Sequence, residues 1–395
     1  MEEQKERPAF RNLRIDTARY QYLGLWEELR IPPPLPPRRC HHSAVMIQNK
    51  MYIYGGQDVH IGVLGDLWVL NIDPSSSSNE LWTELHPSGD LPGPLCRHSA
   101  ISRGNLIYLF GGTNNSVENS SIYVLNTENL VWTKINPSSE QPPAIDSHSA
   151  CFNEADNTMI IFGGYINGVH SNELYIYNIQ ANEWSRPNSQ RKPDPRSDHS
   201  AVIYQNYMWV YGGSSESERL SDFWRLNLRN LQWELVQSEG ISPGTVSGHS
   251  VCVCGDVMLV FGGIREIIKE TNSMYTYDFS SNKWLMIQHE TQIKDPLSPS
   301  EIENYRKLAK QRHTVQYSSK EESAKADLTK QRSAVVGAQT QGRVKGIVPH
   351  SRDGHSSIVF EGGMYVFAGD RHQMSFNDVY CYSIQEQVLK TPVAI

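Results

Sequence analysis

Residues 98–135 read HSAISRGNLIYLFGGTNNSVENSSIYVLNTENLVWTKI, and the reading of this stretch decides the fold. His98-Ser99 opens a short run to Ser102, and Asn105 and its neighbours make a turn. Leu106 to Phe110 is an apolar run suited to a strand covered on both faces. Gly111-Gly112 ends it, where glycine permits positive φ and the close approach of a neighbouring strand. A polar loop follows, and Ile122 to Leu125 forms a third strand. Asn126-Thr127-Glu128-Asn129 is turn chemistry, and Val131 to Ile135 is a fourth strand containing Trp132.

The pattern recurs six times. His-Ser stands at His42-Ser43, His98-Ser99, His148-Ser149, His199-Ser200, His249-Ser250 and His355-Ser356. The glycine doublets are Gly55-Gly56, Gly111-Gly112, Gly163-Gly164, Gly212-Gly213, Gly262-Gly263 and a worn copy, Ala368-Gly369. The third-strand aromatic follows the second glycine by 11 or 12 residues, giving Trp68, Tyr123, Tyr175, Trp224, Tyr275 and Tyr380. A tryptophan comes nine residues later in four repeats, at Trp132, Trp184, Trp233 and Trp284; an inserted loop delays Trp82 to 14. Four short antiparallel strands repeated at a period of about 50 residues describe the blades of a β-propeller. Glycine doublet, tyrosine and tryptophan in this order resemble the kelch repeat, six copies in register over nearly the whole chain. The expected fold is all-β, a six-bladed propeller with four antiparallel strands per blade and one charged, helical or disordered insertion.

The expected layout is an N-terminal extension over 1–19 and a propeller over 20–395. Its blades fall at 38–86, 94–136, 144–186, 195–237, 245–288 and 351–389, with an insertion at 289–348. The sixth repeat has Leu389 where a tryptophan belongs, while Trp26 stands alone at the other end, 16 residues before His42, as Trp82 stands before His98. Residues 24–29 are therefore expected to complete the last blade, removing the exposed edges of an open sheet. In the alternative, Gln387–Lys390 forms that strand itself. Phe10, Leu13 and Ile15 suggest one more strand without a place.

A residue present in every repeat holds the scaffold together, so function is expected where the repeats differ. Loops between the second and third strands carry His60 in blade one, Tyr165 and His170 in blade three, Arg219 in blade four, Arg265, Ile267 and Ile268 in blade five, and Arg371 and Phe376 in blade six. Apolar groups beside arginine at loop tips suit protein recognition. Arginines near the His-Ser pairs, Arg38, Arg97, Arg196 and Arg352, form an uneven set; family resemblance implies a position at the pore mouth, where they would hold a carboxylate or phosphate. The insertion opens with a capping box, Ser298-Pro299-Ser300-Glu301, before helical spacing of Ile302, Tyr305 and Leu308. Its part 304–346 holds ten Lys or Arg against three Asp or Glu, a net of +7 on a chain of net −7. That basic tract suits an acidic partner.

Six histidines spaced around a ring cannot converge on one ion, so no metal is expected. No P-loop, HExxH or GxSxG string occurs, and no cofactor is expected. The resemblance implies a non-catalytic adaptor or scaffold subunit that binds other proteins, with a ubiquitin-ligase substrate receptor as the alternative and a kelch-fold enzyme as a distant third. Net charge argues against nucleic acid as a partner, and a small-molecule substrate is not expected. Six cysteines without a CxxC pair, a charged N-terminus and no run of about 20 apolar residues point to a cytoplasmic protein off the membrane, with cytoskeletal or ciliary association open.

Overall fold

A computed structural model describes residues 23–72, 81–114, 117–189, 191–266, 268–287 and 342–385. Among them every regular element is a β-strand. Blade two sets the pattern: Ser99–Arg103, Leu106–Phe110, Ile122–Asn126 and Val131–Ile135 pair in sequence order, all antiparallel. Calling these strands a to d from the channel outward, six such sheets stand side by side, and each strand a neighbours strand a of the next blade in a closed ring.

The core is six interfaces rather than one centre. Each hydrophobic cluster joins two adjacent blades; one combines Ile160 and Phe162 of blade three with Met208, Val210 and Trp233 of blade four. Strand b is therefore buried on both faces, which is why it reads as an unbroken apolar run. Each strand-d tryptophan packs on the strand-b aromatic of the preceding blade: Trp132 on Tyr54 (5.4 Å between ring centroids), Trp184 on Phe110 (5.1 Å), Trp233 on Phe162 (4.7 Å), Trp284 on Tyr211 (5.1 Å) and Trp82 on Phe367 (4.9 Å).

The sixth member of that ring is Trp26, on Phe261 at 4.9 Å. Its strand, Leu23–Arg30, pairs antiparallel with Val379–Gln385, placing Trp26 opposite Tyr382. The N-terminal segment is thus strand d of blade six, and the chain closes through hydrogen bonds between its two ends. Gly342–Lys345 pairs with the other edge of Leu23–Arg30, where Arg343 and Lys345 each lie 3.7 Å from the Glu27 carboxylate. The end of the expected 289–348 insertion is therefore a fifth strand of blade six, not an irregular connection. Blades two and five carry a fifth strand too, Ser88–Gly89 and Glu239–Gly240, supplied by the connection from the preceding blade. The capping box at 298–301, Phe10, Leu13, Ile15 and Gln387–Lys390 lie outside the described residues.

Candidate partner-binding face

Strand a runs away from the His-Ser pair and strand b returns, so the b–c loops and the d–a connections share one face. Three concentric rings build it. In the middle one, each histidine Nε2 meets the serine Oγ of the preceding blade: His98–Ser43 2.9 Å, His148–Ser99 2.7 Å, His199–Ser149 2.8 Å, His249–Ser200 2.6 Å, His355–Ser250 2.8 Å and His42–Ser356 2.8 Å. Burial holds these imidazoles neutral, lowering His98 to about 4 and His148 and His249 to about 3. The glycine doublets make room for them. Gly55 and Gly56 have φ of 62° and 98°, and a Cβ on Gly56 would lie 2.8 Å from both the Cys40 carbonyl oxygen and the His42 Cβ.

The innermost ring is backbone. His41, Arg97, Ser147, Asp198, Gly248 and Gly354, each just before a ring histidine, have φ between 51° and 65°. Each donates its N–H to the carbonyl of the same position in the preceding blade, from Arg97 to His41 (2.8 Å) round to His41 itself, which donates to Gly354 (2.7 Å). Four of the six carry a Cβ in this left-handed region, at about 1–2 kcal/mol each; the closed hydrogen-bond ring offsets that cost. Their side chains differ from blade to blade, from the buried Ser147 to the exposed Arg97.

Outward of the histidines, against the end of strand b and the start of strand c, lies the position three residues before each histidine. It is Arg39, Arg196 and Arg352 in blades one, four and six, and Leu95, Ile145 and Val246 in the others. Each arginine is fully buried and forks onto an aspartate of its own blade: Arg39 on Asp66 (2.9 and 2.7 Å), Arg196 on Asp222 (2.7 and 2.7 Å), Arg352 on Asp378 (2.6 and 3.0 Å). This corrects the expected arginine rim. Arg196 and Arg352 have no surface to offer, their counterpart in blade one is Arg39, and Arg38 beside it is exposed. Phe376 is committed as well, its ring covering the Arg352 guanidinium at 4.5 Å.

Arg97 is the member of that set exposed to the channel. Burial would lower its pKa, but the charges of Asp198 and Asp146 more than offset this and hold it above the ordinary range. Tyr165 and His170 face each other across a hairpin, ring centroids 4.3 Å apart, and the Tyr165 backbone bridges to Asp146. Burial lowers the His170 pKa against the pull of Asp198 and Glu216. Arg219 reaches from blade four to blade five, donating from Nε to Ser247 Oγ (3.0 Å) and from its terminal nitrogen to the Glu266 carbonyl. Arg265 donates to the Pro243 carbonyl and to the Tyr275 hydroxyl (2.6 Å). Glu270 and His372 join loops five and six at 3.0 Å. The mouth thus gathers Arg97, Tyr165, His170 and Arg219 with Asp146 and Asp198, while His60 is exposed and Ile268 and Arg371 half-buried on the surrounding loops. Ile267 lies outside the described residues.

Five of the eight large hydrophobic side chains exposed among the described residues sit in these loops: Val59, Ile61, Val117, Val169 and Met374, each at least half exposed. Val59, Val117 and Val169 were not singled out by sequence, because a lone valine in a polar loop carries no periodic signal. Among the described residues no three His, Cys, Asp or Glu side chains are placed to hold a metal ion, and no helix is long and apolar enough to cross a membrane.

A propeller of six such repeats defines a class, and comparison with known proteins specifies the family. The profile described as the KLHDC2/KLHL20/DRC7 Kelch-repeats domain matches residues 13–143 and 98–302, so the chain belongs to the kelch-repeat family. It is 29% identical over 379 residues to the leucine-zipper-like transcriptional regulator 1 homolog of Drosophila melanogaster, covering 95% of this chain and 29% of that protein. Kelch domain-containing protein 3 of Rattus norvegicus is 25% identical over 58% of this chain and 62% of its own length. Host cell factor homolog hcf-1 of Caenorhabditis elegans is 28% identical over 64% of this chain and 36% of its own length. The chain therefore spans less than two thirds of each of these relatives. The family supports a protein-interaction role.

Proposed function

We propose that this chain is a non-catalytic adaptor that binds partner proteins through its b–c loop face, as a subunit of a larger cytoplasmic assembly, cytoskeletal or ciliary in kind. The observation that carries the reading is the crown of exposed Val59, Ile61, Val117, Val169 and Met374 around a charged mouth. Isolated apolar side chains on a surface are ordinary; their concentration on the loops of one face is what a partner explains. The mouth adds fixed charges of both signs, which give register rather than raw affinity. The basic tract 304–346 extends the reading toward an acidic partner, although Arg343 and Lys345 already lie against Glu27 of the propeller.

The test is co-purification from cells with the quadruple variant Ile61→Ser, Val117→Ser, Val169→Ser and Met374→Ser. Surface substitutions of this kind leave folding within about 0.5 kcal/mol, so an unchanged melting temperature is expected alongside loss of the partners held by the natural chain. Retention of the same partners would sink the proposal. Recovery of a ubiquitin-ligase scaffold would shift it to a substrate receptor, and recovery of tubulin or axonemal proteins would favour the cytoskeletal form.

A further inference from the structure

On the outer rim, three blades cover strand d with a fifth strand. In each, the carbonyl of the strand-d tryptophan accepts a hydrogen bond from it: Asp90 donates to Trp132 (2.9 Å), Ile241 to Trp284 (3.3 Å) and Gly346 to Trp26 (2.8 Å). Asp90 and Ile241 stand eight residues before the ring histidine of their blades, in the connection arriving from the blade before. In blade one that position is Pro34, and the position two before it is Pro32. Proline has no N–H to give, so the connection that covers blades two and five cannot cover blade one in the same way.

Blade one nevertheless repeats the edge sequence of blade six. Leu81-Trp82-Thr83-Glu84-Leu85 matches Leu25-Trp26-Glu27-Glu28-Leu29 with one change. Under Gly342–Lys345, Glu27 and Leu29 are buried and Leu25 and Glu28 half-buried. In blade one Leu81, Thr83 and Glu84 are exposed and Leu85 is half-buried, with Leu81 at 44% exposure. Among the described residues, one of these twin edges is covered and the other is open.

The covered edge supplies the register. Arg343 lies opposite Leu29, Val344 opposite Glu28 and Lys345 opposite Glu27, and the Gly346 N–H reaches the Trp26 carbonyl. Carried to blade one, an incoming strand needs an apolar residue opposite Leu85, a cation opposite Glu84, an apolar residue opposite Thr83 and an N–H for the Trp82 carbonyl. Leu13-Arg14-Ile15-Asp16 supplies these in order. Side chains alternate across a strand, so Leu13 and Ile15 fall on the face of Leu81 and Leu85, and Arg14 on that of Glu84. The direction fits as well. Antiparallel to Trp82–Leu85, the segment ends at the end of the blade where strand d begins, and Leu23–Arg30 begins strand d of the adjacent blade six at that same end. Seven residue steps from Asp16 to Leu23 reach about 23–25 Å, more than twice the ~10 Å between stacked sheets, which leaves room for the splay of blades toward the rim.

We propose that residues 13–16 dock as a fifth strand on the outer edge of blade one, antiparallel to Trp82–Leu85, with Arg14 facing Glu84. The strand that the sequence suggested without a place is thereby placed. It straddles the seam between the first and last blades and closes an edge that would otherwise pair with other chains. The edge is separate from the b–c loop face, so either reading can fail without the other.

Residue-resolved hydrogen exchange on the full chain tests it. The strand-d tryptophan and the residue two beyond it turn their N–H groups outward, so the Glu84 amide is the reporter and should exchange slowly. Arg14→Glu should speed its exchange about five- to tenfold, the worth of one hydrogen bond. Arg14→Glu combined with Glu84→Arg should restore the protection, after correction for the intrinsic rate of the new residue. Arg14→Pro, which removes the N–H aimed at the Glu84 carbonyl, should abolish it. A Glu84 amide that exchanges as fast in the natural chain as in the proline variant would overturn the proposal, as would a charge swap that restores nothing. Protection that survives Arg14→Pro but disappears when the loop 74–80 is shortened would overturn it in favour of that loop. Protection that grows with protein concentration would overturn it in favour of a second copy of the chain.

Discussion

The arginine three residues before the ring histidine shows how one position can carry two solutions. Where it is Arg196, its guanidinium is fully buried and satisfied by both oxygens of Asp222, by the Gly212 carbonyl (3.0 Å) and by the Asp194 carbonyl (3.0 Å). In blade five the same two positions are Val246 and Ser273, and the blade forms without the pair. Removing one partner of a buried pair strands a charge, whereas replacing both with fitting neutral groups is nearly neutral. Asp222→Ser alone should therefore destabilise by about 3–5 kcal/mol, and Arg196→Val with Asp222→Ser should restore most of it in urea unfolding. A double variant as unstable as the single one would contradict this. The pairing was within reach of the sequence, since Asp66, Asp222 and Asp378 each stand two residues before the strand-c aromatic. Counted strictly from the ring histidine, the position is Arg39 and not its neighbour Arg38.

At the scale of elements, the closing strand Leu23–Arg30 lies between Val379–Gln385 and Gly342–Lys345 and buries Trp26 to 2% exposure. It belongs to blade six but is severed from it in the chain, so its loss opens a sheet edge and empties one of six tryptophan sockets. Trp26→Ala should cost about 3–5 kcal/mol. A chain beginning at residue 32 should melt lower and self-associate in light scattering, since unpaired strand edges recruit one another; a monomer with the native melting temperature would refute closure as the source of stability. The strand was legible because Trp26 keeps the spacing to His42 that other strand-d tryptophans keep to the next histidine. The fifth strand at Gly342–Lys345 was not. Four residues at the end of a polar tract carry no periodicity, and only the edge offered by Leu23–Arg30, with Glu27 facing Arg343 and Lys345, gives them a place.

For the whole molecule, the ring of six buried histidines couples folding to pH. Burial lowers the folded-state pKa of all six: His98 to about 4, His148 and His249 to about 3, with His42, His199 and His355 also well below the ordinary value. In the unfolded chain each titrates near 6.5. The unfolded state therefore binds more protons once the pH drops below about 6.5, and stability falls from there toward pH 4. The melting temperature should be level above pH 7 and decline steadily between pH 6.5 and 4. Flat behaviour across that window would mean that the ring is solvated or opens before the fold does. Substituting one serine, as in Ser149→Ala, leaves His199 Nε2 without its partner and should cost about 1–3 kcal/mol at neutral pH.

The sequence by itself determined the number of blades, the order of strands within each and the identity of the tryptophan that closes the ring. These follow from periodic spacing, because every repeat must solve the same packing problem against its neighbours. Tertiary structure alone decided that Arg97 stays exposed at the mouth beside Asp146 and Asp198, and that a closed backbone ring forms at the throat. Those depend on contacts between side chains some 50 residues apart in the chain, brought together by strand register across adjacent blades, and no local pattern of residues encodes them.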